Sequence, residues 1–174
     1  RYGSLSAVLS APVEDLQKVP GIGENAAILL RLIPLLNRKA RMADLLSKDT
    51  ILNSSEKAGA FLLECFAGER NEVIYQLCLD RKAKLLACKR MGEGGSTGAM
   101  LDMRKLTENA LLSSASAVIL AHNHPSGVAL PSPDDILTTQ RAKEILGAVQ
   151  VTLVDHIIVA DEDFVSMADS GYLK

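Results

Sequence analysis

Tryptophan is absent from the 174 residues and phenylalanine and tyrosine occur three times each, so aliphatic side chains must do most of the packing. No apolar run approaches the roughly 20 residues needed to cross a bilayer, and no membrane insertion is expected. The N-terminal Arg1-Tyr2-Gly3-Ser4 lacks the charged head and apolar stretch of a secretory signal, so a cytoplasmic location is expected. An initiating methionine is missing too, which suits a fragment of a longer chain. Cysteine is scarce: Cys65, Cys78 and Cys88 match neither a zinc ribbon nor a CxxC pair, and read as reduced, packed thiols.

A strong charge of one sign is also lacking. The formal net charge of −2 argues against a whole-molecule nucleic-acid binder. Through residue 46, six basic residues (Arg1, Lys18, Arg31, Arg38, Lys39, Arg41) stand against four acidic ones (Glu14, Asp15, Glu24, Asp44), leaving +2 there and −4 in the remainder. With 48% hydrophobic residues and well-mixed charges, the composition is that of an ordinary globular protein.

Two segments differ in pattern. Residues 1–46 read as a small all-α domain, with Leu5, Val8 and Leu9, then Leu16 and Val19, then Ala26 to Leu36 at helical spacings. Val19-Pro20-Gly21-Ile22-Gly23 forms a tight turn between two of these helices. Pro34 is expected to kink or end the second helix, with a linker or short helix over Asn37 to Asp49. Residues 47–174 read as an α/β domain. Ser54-Ser55-Glu56 starts a helix whose apolar face holds Phe61, Leu62, Cys65 and Phe66, and Gly68 ends it. Val73 to Leu79, the turn Asp80 to Ala83 and Lys84 to Arg90 make a hairpin. Met91 to Ala99 reads as a glycine-rich loop and Leu101 to Ser114 as a helix. Ala117 to Ala121 is a strand buried on both faces, Asp134 to Leu146 a helix and Val151 to Val159 a further strand. Asp161-Glu162-Asp163 turns the chain before Phe164-Val165-Ser166. Helices on both sides of a central mixed sheet are the architecture this order favours.

His122 and His124 follow the buried strand, and residues two apart in a strand project to the same side. Two imidazoles at one sheet end could bind one metal ion. Ser132-Pro133-Asp134-Asp135 opens the next helix close by, with Ser132 suited to be its N-cap and the two acids favoured by the helix dipole.

The spacing HxHx7SxxD, from His122 through His124 and Ser132 to Asp135, resembles the ligand motif of JAMM/MPN+ metalloproteins, and the likeness implies Asp135 rather than Asp134 as the third ligand. Two imidazoles and a carboxylate leave a fourth position for water, the open arrangement of a catalytic zinc site. That family takes its general acid/base from an upstream glutamate beside a strand of the form EFxxLL, and Glu72-Val73-Ile74-Tyr75-Gln76-Leu77 is similar. Glu69 and Glu93 are the alternatives in this part of the chain. The stretch from about residue 53 to 174 looks like the RadC-type JAB domain of bacteria, in "LDRKAKLL", "AVILAHNHPSG", "PSPDD" and "VDHIIVAD". It departs at Asp102-Met103-Arg104-Lys105-Leu106, where family members commonly show "PREIF"-like residues. "YGSLSAVLSAPVEDLQKVPGIGENAA" resembles the helix-hairpin-helix segment that precedes this domain, and RadC-like chains usually begin with a further helical stretch.

The resemblance implies a cytidine-deaminase-like three-layer α/β/α sandwich and a metallopeptidase or isopeptidase type of reaction on a peptide or protein substrate, in a setting that the family name associates with DNA repair. In that mechanism zinc polarises the scissile carbonyl, Glu72 moves the proton from water to the leaving amine, and Ser132 donates to the developing oxyanion. The other reading is a non-catalytic DNA- or protein-binding module. The Gly21–Gly23 hairpin fits a phosphate-binding form that would hold DNA without reading sequence, although Glu24 after it repels phosphate. His156 ends a strand near the site. The letters His122-Asn123-His124 match a nuclease motif by coincidence, since the motif's own letters are widely separated, and a zinc deaminase would need a PCxxC element that is missing.

Overall fold

A computed structural model of the chain describes residues 1–47, 49–69, 71–93 and 101–173. Its contacts divide it into two compact units, Arg1–Ser47 and Lys48–Lys174.

The first unit is helical. In α1 (Leu5–Ser10) the Ser4 hydroxyl caps the first turn by accepting from the Ala7 amide at 3.1 Å. A four-residue turn of helix, α2 (Val13–Leu16), leads to α3 (Glu24–Ser47). Ala11, Leu16 and Ala27 are buried together, with Val8, Val13, Ile22 and Leu30 packed around them. The turn between α2 and α3 is closed by the Ile22 amide donating to the Val19 carbonyl at 3.0 Å. Gly21 takes a φ of 88° there, a conformation that side chains disfavour. Pro34 does not end α3, and the stretch expected as a linker or short helix is the continuation of α3 as far as Ser47. A proline inside a helix removes one backbone hydrogen bond, and α3 continues past it.

The second unit is an α/β sandwich. Helix α4 (Ser55–Phe66) is capped by Ser54, then come β1 (Val73–Leu79), β2 (Leu85–Glu93), α5 (Met103–Leu112), β3 (Ala117–Asn123), α6 (Pro133–Ala148), β4 (Thr152–Ala160) and β5 (Asp163–Ser166). The strands form one sheet in the order β2-β1-β3-β4-β5. Only β3 and β4 run parallel, and the other neighbours are antiparallel. The sheet is therefore mixed, as expected. Because side chains alternate along a strand, Ile74 faces α5 and α6 in a core with Val118, Leu120, Leu106, Ala142 and Leu146. Tyr75 faces the other way and meets Phe66 of α4 edge-on, with ring centroids 5.1 Å apart. Among the described residues no helix is long and apolar enough to cross a membrane.

Two boundaries differ from the sequence reading in ways that matter. Strand β2 takes in Met91, Gly92 and Glu93, because β1 offers each of Val73 and Ile74 as a partner (Val73 to Glu93, Ile74 to Gly92); the rest of the expected glycine loop, residues 94–99, lies outside the described residues. Strand β3 runs two residues past Ala121, so His122 lies within the sheet, paired with Ile74 on β1 and Ile158 on β4.

Candidate metal centre

His122 is 2% exposed and its ring faces α6, on the same side of β3 as Leu120. His124 lies just past the strand but is still tied to the sheet, its amide donating to the Val159 carbonyl at 2.8 Å. The chain then turns away through Pro125-Ser126-Gly127, with Gly127 at a φ of 80°. The return is fixed at Ser132, the N-cap of α6, with Pro133 in the first helical position.

Ser132 and Asp135 form a capping box. The Ser132 hydroxyl accepts from the Asp135 amide at 3.2 Å, and the Ser132 amide donates to Asp135 Oδ2 at 2.7 Å. The same hydroxyl donates its proton to Asp135 Oδ2 at 2.6 Å. Cap and carboxylate thus hold each other, and the carboxylate is aimed at the histidines. His122 Nε2 lies 3.2 Å from Asp135 Oδ1, His124 Nε2 lies 3.5 Å from Oδ2, and the two Nε2 atoms are 2.9 Å apart. Among the described residues, these three form the group of potential metal ligands whose atoms all converge within 4.8 Å.

The donor set suits a cation. His124 Nδ1 is 2.9 Å from the Val128 carbonyl, which can only accept, so the proton of a neutral His124 is on Nδ1 and Nε2 is a bare lone pair. It faces a second imidazole nitrogen and a carboxylate. Burial pushes the Asp135 carboxyl up, but the hydrogen bond and charge of His122 and the hydrogen bonds from Ser132 more than offset this and hold it well below the usual carboxylate range. Asp135 therefore meets the two histidines as an anion.

Behind His122 stands His156 on β4, with its Nε2 2.8 Å from His122 Nδ1 and its Nδ1 2.5 Å from the Thr139 hydroxyl of α6. Burial, aided by the adjacent His122, pushes His156 down to about 3, so the ring is neutral. Its expected place near the site is what the geometry shows, but it stands in the middle of β4 and not at a strand end, because β4 continues to Ala160 alongside β3 and β5.

Glu72 precedes β1 and is half-buried. The antiparallel register that pairs Ile74 with His122 carries Glu72 toward His124, and Glu72 lines the same cleft as His122, His124, Ser132 and Asp135. This cleft measures roughly 990 Å³ and has an apolar floor of Ile74, Leu101, Met103 and Leu120. Of the alternatives, Glu69 pairs instead with Arg90, Oε1 to Nε 3.6 Å, and is not among the cleft-lining residues; the side chain of Glu93 lies outside those described. Asp134 lines the cleft but is not in the converging group.

Sequence reasoning missed two residues. Asn123, between His122 and His124, accepts from the Val73 amide at 2.7 Å through Oδ1 and donates to the Asn71 carbonyl at 3.0 Å through Nδ2. It grips the backbone on both sides of Glu72, a partnership across 50 residues with no local signal. Thr139 lies one helical turn beyond Asp135, a spacing that puts it on the same face of α6 and was open to notice.

A mixed-sheet sandwich with a His-x-His pair at the end of a central strand and a carboxylate from the first turn of the next helix defines a JAB-type domain able to hold a metal ion. The chain belongs to the RadC-like JAB domain family, whose model matches residues 52–172. A UPF0758 protein of Bordetella parapertussis is 35% identical over 173 residues, spanning 99% of this chain and 76% of its own length. A UPF0758 protein of Alcanivorax borkumensis is 38% identical over 170 residues, 97% of this chain and 75% of its own. One from Ectopseudomonas mendocina is 36% identical over 172 residues, 99% and 76% respectively. The family match begins after the Gly21–Gly23 turn and does not cover it.

Proposed function

We propose that the chain is a zinc-dependent hydrolase of the JAMM type that cleaves a peptide-like amide, with His122, His124 and Asp135 as the metal ligands. The supporting observation is the convergence of two imidazole nitrogens and an ionised carboxylate 2.9 to 3.5 Å apart in a cleft that Glu72 also lines. Ligand atoms around a tetrahedral zinc, at bonds of about 2.0–2.1 Å, stand about 3.3 Å from one another, so the separations fit. A mixed nitrogen and oxygen donor set with three protein ligands is that of catalytic rather than structural zinc.

Bound there, zinc supplies Lewis-acid polarisation of a carbonyl and a more acidic water. Glu72 takes the proton that the attacking water loses and delivers it to the leaving amine. Asn123 keeps Glu72 in place through the flanking backbone. Ser132 orients Asp135 in the resting site; to donate to the oxyanion its hydroxyl proton turns from Asp135 Oδ2 into the cleft. The apolar floor accepts aliphatic parts of a peptide.

The second reading is a binding module for DNA or protein that does not turn over, and it separates from the first at Glu72. Zinc-loaded chain is incubated with a peptide library and cleavage is followed by mass spectrometry. The wild type is expected to cleave and Glu72→Gln to lose activity by 100-fold or more, each with about one zinc per chain by atomic absorption. Equal cleavage by both removes Glu72 from the mechanism; zinc without any cleavage favours the binding module.

A further inference from the structure

We infer that Thr139 and His156 are positioning residues that set the tautomer of His122, through a one-way hydrogen-bond chain anchored on the backbone carbonyl of Asp135. The inference rests on the reading that His122, His124 and Asp135 hold zinc. It concerns what makes His122 a ligand at all.

The direction of the chain follows from its far end. Thr139 Oγ1 lies 2.6 Å from the Asp135 carbonyl oxygen. A carbonyl only accepts, so the single hydroxyl proton of Thr139 is committed there. The Met167 sulfur, 3.6 Å away, is a weaker competitor for it. Toward His156 Nδ1, at 2.5 Å, the hydroxyl can therefore only accept. His156 Nδ1 must carry the proton, and its Nε2 is left as a lone pair. Facing that lone pair at 2.8 Å, His122 Nδ1 must donate. The single proton of a neutral His122 is then on Nδ1, so Nε2 is free for a metal, which would take the place of the proton through which the charged ring bonds Asp135.

All members are buried, with Thr139 1%, His122 2% and His156 4% exposed, so water does not compete for the bonds. Without the chain a neutral imidazole could protonate Nε2 and block the metal. Outer partners that fix a ligand histidine in this way change metal affinity by about 10–100-fold. The chain also closes on itself chemically: it starts on the ligand His122 and ends on the backbone of the ligand Asp135, so β3, β4 and α6 are held in one register around the site. His124 is fixed separately by the Val128 carbonyl.

The test pairs Thr139→Val, which keeps the shape and removes the hydroxyl, with Thr139→Ser, which keeps the hydroxyl and removes a methyl. Zinc dissociation constants of the full chain are measured by competition with a chromophoric chelator. Thr139→Val is expected to bind zinc about 10–100-fold more weakly, and Thr139→Ser to stay within about threefold of the wild type. A packing role would reverse that order, and equal affinity in all three proteins overturns the inference. A long-range 1H–15N spectrum of the wild type, with and without zinc, reads the His156 tautomer directly: a proton on Nδ1 supports the chain and a proton on Nε2 overturns it. Because that spectrum needs no metal, a wild type that fails to bind zinc defeats the functional reading while the hydrogen-bond chain is still judged on His156.

Discussion

Asn123 sits between His122 and His124, yet both of its amide atoms are used on the backbone of residues 71 and 73. Buried at 6% exposure, it replaces strand hydrogen bonds that β3 no longer offers at its end. Removing it leaves the Val73 amide and the Asn71 carbonyl to find new partners. Asn123→Ala is expected to destabilise the chain by about 1–3 kcal/mol, read from urea unfolding, and to lower peptide cleavage while zinc content stays near one per chain. Loss of zinc with stability unchanged would mean that Asn123 serves the metal ligands instead. The histidine pair was legible because a strand's period of two puts His122 and His124 on one side, and although β3 ends at Asn123 the bond from the His124 amide to the Val159 carbonyl keeps His124 on the sheet. Asn123 was not, because its partners are 50 residues upstream and its role depends on the register of β1 against β3. Ser132 and Asp135 were legible as a helix cap, and the structure adds that the capping serine and the carboxylate facing the histidines are one hydrogen-bonded unit.

At the level of elements, β1, β3, α6 and β4 stand close to where their apolar patterns put them, since each buries a continuous face. The differences arise where tertiary partners extend or override a local signal. Gly92 reads as loop but is held in β2 by Ile74, and Pro34, which reads as a kink or an end, does not end α3 but is carried within it. The contact between α4 and β5 was also invisible: Gly59, in the middle of α4, lies against the ring of Phe164, and a methyl group there would overlap the ring. Alanine is the better helix former by about 1 kcal/mol. Overpacking of this kind costs about 1–3 kcal/mol, and here the obstacle is a rigid ring rather than a flexible chain end, so the steric effect wins. Gly59→Ala is expected to lower the melting temperature by several degrees. A rise would show that Phe164 moves aside without cost.

On the scale of the whole molecule, the candidate site exists only when β1, β3 and α6 are assembled. His122 and His124 come from the end of β3, Asp135 from the first turn of α6, and Glu72 from the residue before β1, brought close by the pairing of Ile74 with His122. Local sequence could supply the ligands but not the approach of Glu72, which was anticipated from family likeness and rests physically on an antiparallel register. A ligand set drawn from the end of β3 and the first turn of α6 has little affinity for metal in the unfolded chain, so binding and folding must be linked. At a free zinc concentration 1,000 times the dissociation constant, the linkage amounts to about 4 kcal/mol of added stability. Zinc should therefore raise the melting temperature of the wild type, and a chelator should reverse the rise. In the double variant His122→Ala with His124→Ala the shift should vanish, because Asp135 alone retains no comparable affinity. If that variant kept the full zinc-dependent shift, the metal would be binding elsewhere in the chain and the proposed ligand set would be wrong.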